Sequence, residues 1–198
     1  NGMQLEVPDQ WLTLGNVWEI RKPKHAVEVK FYGHVETYNV GNRTMFRIVN
    51  AECVRAVPYD VPVVGHGNDI TNTLRLWSSE PSSENLPKNK DFATYLNGVR
   101  QLCHGLYPDD STEQGKILRL KQQYFFVSAG LQSYVKMHLR LNKSLNNFHE
   151  KFTIQLNDTH PVLCIPELMR ILMDEYSFEW DDAWNVVSHT MAYTNHTV

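Results

Sequence analysis

The sequence is poor in cysteine, and its three cysteines, Cys53, Cys103 and Cys164, are widely spaced with mostly apolar neighbours. Without a Cys-x-x-Cys pair they spell neither a zinc site nor a disulfide framework, and they suit reduced thiols in a core. Long hydrophobic runs are missing too: nothing approaches the roughly 20 apolar residues that cross a bilayer. The start, Asn1-Gly2-Met3-Gln4, has no basic-then-apolar leader. These features lead to the expectation of a cytoplasmic protein, in which the N-x-[ST] triplets at Asn42, Asn142, Asn157 and Asn195 mean little. Charge of one sign is also scarce. A formal net charge of −3 and a pI near 6.3 offer no basic surface to a phosphate backbone or an anionic membrane, so neither is an expected partner. Glycine-rich phosphate loops, the nucleophile elbow G-x-S-x-G and the zinc helix H-E-x-x-H are absent. The nine histidines show no spacing for a shared metal.

What is present is an ordinary globular composition. With 198 residues, 42% of them hydrophobic and 21% charged, the chain is long enough to bury a core, and one domain is expected. Trp11 and Trp18 mark an irregular, aromatic-anchored start. Val27, Val29 and Phe31 alternate with Glu28, Lys30 and Tyr32 as a half-buried strand does, and Val40-Gly41-Asn42 predicts a turn into Met45 to Val57, making a hairpin. Pro58, Pro62, Gly65 and Gly67 then punctuate the chain before a short strand from Thr73 to Trp77, with a polar connection from Pro81 to Lys90. The first 80 residues therefore read as β-rich.

The hydrophobic period then changes. Phe92, Tyr95, Val99, Leu102 and Leu106 share a helical stripe ending at Gly105 and Pro108. Ser111 or Thr112 caps a long helix over residues 113 to 141, apolar almost all round from Ile117 to Leu131 and so expected to be buried. Phe152 to Leu156 reads as a strand. Asn157 or Thr159 can cap a helix from about Pro161, and Asp181 can cap the next one. Met191-Ala192-Tyr193 fits a buried strand. Strand, helix, helix, strand predicts a parallel pair with a right-handed crossover.

In parallel sheets ligands bind beyond the carboxyl ends of the strands, where Asn157-Asp158-Thr159-His160 and Thr194-Asn195-His196-Thr197 fall. Asp158 supplies a carboxylate, His160 and His196 supply imidazoles, and the amides and hydroxyls supply neutral hydrogen bonds, a mixture suited to a sugar. Helix capping alone would account for one such loop, but less readily for two. A third polar loop, Tyr107-Pro108-Asp109-Asp110-Ser111-Thr112, reads first as helix capping and second as paired carboxylates near a substrate. Arg119, bracketed by Leu118 and Leu120, is expected to be partly buried and paired, whereas Lys116 and Lys121 are expected in solvent.

Several strings carry a family resemblance: Pro58-Tyr59-Asp60, Asn72-Thr73-Leu74-Arg75-Leu76-Trp77, Leu118-Arg119-Leu120-Lys121-Gln122-Gln123-Tyr124, Gln155-Leu156-Asn157-Asp158-Thr159-His160-Pro161, Pro166-Glu167-Leu168-Met169-Arg170 and Ala192 to Val198. In this order and spacing the chain resembles the glycogen, starch and maltodextrin phosphorylases, over nearly its whole length. The Gln155 to Pro161 heptapeptide is the most specific of these strings. The resemblance implies an α/β chain that is one partial, Rossmann-like domain of the GT-B type, with a β-rich part over 1–80 and a helical, parallel α/β part over 88–198. It implies a second, cofactor-binding domain outside the chain.

The implied activity is transfer of a glucosyl unit from the non-reducing end of an α-1,4-glucan to phosphate, giving glucose 1-phosphate with retention. The implied cofactor is pyridoxal 5′-phosphate, whose Schiff-base lysine is not in this sequence, and the implied assembly is a homodimer. Carried over residue by residue, His196 matches the histidine at the catalytic subsite, with its carbonyl facing the reacting centre. Asp110 matches the acid of a gate loop that also carries Ser111. Arg119, Asp158 and His160 match pocket-lining residues, and Asn195 and Thr197 flank His196 in the substrate loop. Ser111 and Thr112 replace the asparagine and aromatic of animal relatives, and Lys136-Met137 replaces the paired arginines of AMP-activated ones despite Arg75. A bacterial-type, constitutively active enzyme is the implied variety, with the isolated 198 residues inactive. A free-standing carbohydrate-binding module and a glycoside hydrolase using Asp109, Asp110 or Asp158 are the alternatives, though no carboxylate pair has identifiable acid and base roles.

Overall fold

The computed structural model describes Gly2, residues 15–83 and residues 91–196. Trp11, most of the 81–90 connection and Thr197 lie outside the described residues. Strands β1 (Ile20–Arg21), β2 (Val27–Phe31), β3 (His34–Val40), β4 (Arg43–Val49), β5 (Glu52–Val64) and β6 (Thr71–Pro81) come first. Helices α1 (Phe92–Gln101), α2 (Glu113–Leu141) and α3 (Phe148–Lys151) follow. Strand β7 (Ile154–Asn157), helix α4 (Cys164–Arg170), a π-helical turn (Ile171–Glu175), α5 (Trp180–Thr190) and β8 (Met191–Thr194) complete the order.

The long β5 pairs antiparallel with β1, β2 and β6, while β3 and β4 form a separate two-stranded ribbon. The hairpin expected across Val27 to Val57 is thus four strands. The Gly41 turn joins β3 to β4, and β2 pairs instead with Glu52 to Ala56. Two extra reversals make this possible, at Tyr32 and Gly33 with φ of 58° and 79°, and at Asn50 with φ of 54°. Glycine is required at 33, because a Cβ there would lie 2.6 Å from the Val49 carbonyl oxygen.

The short strand expected at Thr73 to Trp77 extends over Thr71–Pro81, and β5 runs straight through Pro58 and Pro62. Pro62 lies beyond Asp60, where β5 is paired only with β6, and an open edge is where a sheet tolerates proline's missing N–H. Pro58 falls between the residues that pair with β2 and with β1, and its carbonyl accepts the Lys22 N–H at 2.9 Å. Trp18 is exposed rather than an anchor.

Helix α2 matches its expected extent, capped by Thr112, whose Oγ1 accepts the Gly115 N–H at 3.1 Å. Its all-round apolarity has a structural cause. Phe125 and Ala129 pack with Val27, Val29 and Val54 of the sheet and with Tyr95 and Val99 of α1, whereas Val127, Leu131 and Val135 pack with Leu168, Leu172, Val186 and Val187. The helix serves two hydrophobic cores. Tyr95 fastens α1 to the sheet: its hydroxyl donates to the Cys53 carbonyl at 2.9 Å and accepts the Ser82 N–H at 2.9 Å.

Strands β7 and β8 pair in parallel, Gln155 opposite Ala192 and Asn157 opposite Thr194, as the strand, helix, helix, strand order predicts. Details of the caps differ. Leu163 stands at the N-cap of α4 and Glu179 at that of α5, neither with a side-chain cap bond, so Asp181 and Asp182 occupy the first turn of α5 rather than its cap. β8 is half-buried to exposed, less enclosed than expected. The observed class is mixed α/β, with one antiparallel sheet, a ribbon and a parallel pair. Cys53 and Cys164 are buried and Cys103 half-buried, all as free thiols.

Candidate functional site

The parallel ladder continues one residue past its strands, because the Asp158 N–H donates to the Thr194 carbonyl at 2.8 Å. Asp158 then turns the chain with φ of 65°, a left-handed conformation that aspartate tolerates better than most residues. Its own Oδ1 accepts the Thr159 N–H at 2.7 Å, fixing the turn that presents His160. Side chains tie the same ends together: the Gln155 amide donates to the Thr194 hydroxyl, and the His196 Nε2 meets the Asn157 Oδ1. The two polar loops therefore leave one end of one strand pair, as their positions in the sequence predict. Asn195 is exposed in the same loop.

The third loop reaches this end from the other side of the chain. His160 contacts the Tyr107 ring edge-on at 5.9 Å between centroids, and the Arg119 guanidinium lies 5.8 Å from that ring's centroid. Arg119 Nη1 donates to Asp110 Oδ2 at 2.6 Å, so Arg119 is half-buried and paired as expected. Tyr107, Arg119 and His160 line a cavity of about 190 Å³ with Gln122, Gln123, Phe126 and Pro161. Aromatic and aliphatic walls with a few polar groups suit the ring faces and hydroxyls of a sugar. Ser111 is engaged elsewhere: its hydroxyl and backbone N–H both bond Asp109 and hold that carboxyl below the usual carboxylate range.

The lysines divide. Lys116 is exposed beside Glu113, as expected, but Lys121 is half-buried, with its ammonium 5.2 Å and 4.8 Å from the ring centroids of Phe31 and Tyr32. Neither lines the cavity.

Three contributors escape a sequence reading centred on charged residues. Tyr107 has φ of 59° and bridges His160 to Arg119. Gln122 is buried on α2 and donates to the Gln101 carbonyl at 2.9 Å and the Gly105 carbonyl at 3.4 Å. Gly115 lies against the Asp109 carbonyl, which a Cβ would approach to 1.7 Å. A glycine in the first turn of a long helix is itself a signal, since it costs helix stability unless packing demands it.

Behind the cavity wall, Glu167 is almost wholly buried and accepts from Ser128 Oγ at 2.7 Å, Tyr124 Oη at 3.2 Å and Arg170 Nε at 2.8 Å. Burial first, and then the Glu167 charge, pushes the Tyr124 hydroxyl up to about 12. This network locks α4 to α2.

These features define a class: a mixed α/β chain whose amide, hydroxyl and imidazole groups gather at the carboxyl end of a parallel strand pair, beside a small cavity. Comparison with known proteins makes the class particular. The chain matches the carbohydrate phosphorylase family over residues 1–198, and it belongs to that family. It is 47% identical over 197 residues to the glycogen phosphorylase of Bacillus subtilis, covering all of this chain and 24% of that protein. It is 44% identical over 206 residues to the glycogen phosphorylase of Synechocystis, covering all of this chain and 24% of that protein. Against the muscle form of glycogen phosphorylase from Homo sapiens it is 43% identical over 211 residues, covering all of this chain and 25% of that protein. The chain thus spans about a quarter of the length of the curated relatives it matches.

Proposed function

We propose that these 198 residues are part of an α-1,4-glucan phosphorylase and supply one wall of its sugar site. One observation carries the reading: in a chain of the carbohydrate phosphorylase family, the His160 and His196 loops leave the same end of one parallel strand pair. The proposed reaction breaks the bond between C1 of the terminal glucose and the glucan oxygen, and joins C1 to a phosphate oxygen with retention. The phosphate's proton ends on the freed glucan hydroxyl. Carbohydrate-binding module and glycoside hydrolase remain the weaker readings, since the relatives' names and the lack of a carboxylate pair across the cavity favour neither.

Within that reaction the chain's own groups orient the sugar and steady developing charge. His196, braced by Asn157, contacts the glucosyl unit, and its carbonyl dipole faces the carbon that becomes positive as the glycosidic bond breaks. Arg119 and Asp110, paired at the cavity, fix its polar rim. His160 lines the cavity, and Asp158, Asn195 and Thr197 are assigned to binding the sugar beside it. Ser111, bonded to Asp109, holds the gate loop rather than the sugar.

Pyridoxal phosphate would supply a phosphate group able to exchange a proton beside the substrate phosphate. The residues lining the cavity do not fit its covalent attachment, because none is a lysine. Its lysine is therefore assigned to sequence outside these residues. The GT-B arrangement of two Rossmann-like domains, with residues 1–198 one partial domain of the first, belongs to the same proposal, as does a homodimer without nucleic-acid or membrane partners. A cytoplasmic location is supported by the three free thiols and by the lack, among the described residues, of a helix long and apolar enough to cross a membrane. Ser111, Thr112, Lys136 and Met137 support a bacterial-type enzyme without AMP control.

Incubation of the complete protein with glycogen and phosphate is expected to release glucose 1-phosphate, and the 198 residues alone are expected to release none. Glucose released without phosphate would overturn the reading in favour of a hydrolase. Turnover by the isolated chain would refute its inactivity.

A further inference from the structure

The connection between α1 and α2 is built in conformations that a chain adopts only under constraint. Gly105 and Tyr107 have φ of 63° and 59°, and a tyrosine in the left-handed region is disfavoured by its Cβ. The constraint comes from one buried side chain. Gln122 donates from its carboxamide to the carbonyls of Gln101 and Gly105, which bracket the reversal after α1. Gln101 is the last residue of α1, so its carbonyl has no partner in the helical ladder and needs one from outside. Beyond Gly105 the chain delivers Tyr107 to His160 and Arg119, and Asp110 to Arg119. Gln122 also faces the same cavity.

We infer that Gln122 is a positioning residue for the sugar site, holding the 102–112 connection so that Tyr107 and Asp110 stand where the cavity needs them. The inference rests on the proposed function for what the cavity binds, but the clamp itself does not. Gln122 acts through the backbone it holds. Without its two donors, the reversal must keep a strained tyrosine with nothing bonding the adjoining carbonyls, and the connection relaxes away from His160. Sugar contacts then weaken, while groups outside the connection keep their geometry.

The test uses the complete protein with Gln122→Met, which keeps side-chain length and removes both donors. Gln122→Glu serves as a second variant that keeps the shape and turns an acceptor toward the two carbonyls. Hydrogen exchange at residues 102–112 is expected to accelerate about fivefold or more in both variants, the equivalent of one lost buried hydrogen bond. The KM for glucan in phosphorolysis is expected to rise by about five- to tenfold, with kcat changed by less than about twofold. Unaltered exchange at 102–112 overturns the clamp, and accelerated exchange with an unchanged KM overturns its link to the sugar. If the unsubstituted protein releases no glucose 1-phosphate, the proposed activity fails, and the exchange result still decides whether Gln122 holds the connection.

Discussion

Replacing Gly115 with alanine should destabilise this protein, although glycine to alanine inside a helix ordinarily stabilises by about 0.8–1 kcal/mol. Gly115 is buried in the first turn of α2, and a Cβ there would lie 1.7 Å from the Asp109 carbonyl oxygen and 2.7 Å from its carbon. A carbon–oxygen contact relaxes only near about 3.3 Å, so loop and helix must part by roughly 1.6 Å. Parting them strains the Thr112 cap on the Gly115 N–H, worth about 1 kcal/mol, and draws Asp110 from Arg119. Overpacking adds about 1–3 kcal/mol, leaving a net loss of about 1–3 kcal/mol once the helix gain is subtracted. For a chain of this size that is a fall in Tm of roughly 3–10 °C, read from a far-ultraviolet circular dichroism melt. Gly98→Ala in α1 is the internal control, because a Cβ at 98 meets nothing within 4 Å, and its Tm should rise by about 2–3 °C. A rise for both variants would refute the close packing of the 107–112 loop on α2.

Three further outcomes are expected. Glu167→Ala leaves the half-buried Arg170 guanidinium with Glu175 alone, at 2.9 Å, and takes the acceptor from two hydroxyls, and should cost about 1–3 kcal/mol in urea unfolding; a loss under about 0.5 kcal/mol would show that the network contributes little. The Arg75 guanidinium, bonded to Asp60 at 2.7 and 2.8 Å, holds that carboxyl below its ordinary value of 3.8. A depressed folded value means stability that is present above 3.8 and lost as pH falls through the folded value, so Asp60→Asn should flatten the decline in unfolding free energy between about pH 5 and about pH 3, and an unchanged slope would count against the pair. In the complete protein His196→Ala should lower kcat/KM by about tenfold or more, and unchanged kinetics would remove His196 from the sugar site.

The helical half of the fold was legible because its signals are local. Thr112 and an apolar run define α2, and the structure supplies the reason it is apolar on every side, a core on each flank. The β-rich half misled at its reversals. Residues 27 to 57 alternate almost without interruption, and the turn read from the sequence there is the one at Gly41, not the one at Gly33. The reversals at Tyr32-Gly33 and at Asn50 each place a residue other than glycine in the left-handed region, a choice that follows from the pairing of β2 with β5 rather than from the segment itself. Pro58 and Pro62 read as punctuation because their tolerance depends on what pairs with β5 at each position, a gap between two partners at Pro58 and an open edge at Pro62, which is a property of the sheet and not of the segment.

For the site, residue types were legible and partnerships were not. Asp110 with Arg119, and His160 with Tyr107, meet only because a helix cap and a strand-end turn converge. Asp158 shows the limit most sharply. Its carboxylate marks it as a ligand for sugar hydroxyls, yet its backbone bonds Thr194 and its side chain bonds Thr159 to build the turn that carries His160. Asp158→Gly keeps the backbone joint to Thr194, since glycine adopts the φ of 65° without strain, and removes the carboxylate together with its bond to Thr159. If the carboxylate touches sugar, the variant should keep its Tm within about 2 °C while its KM for glucan rises about fivefold or more. An intact KM with an intact melt would leave Asp158 as the joint between two loops, and pass the sugar contacts to the histidines it positions.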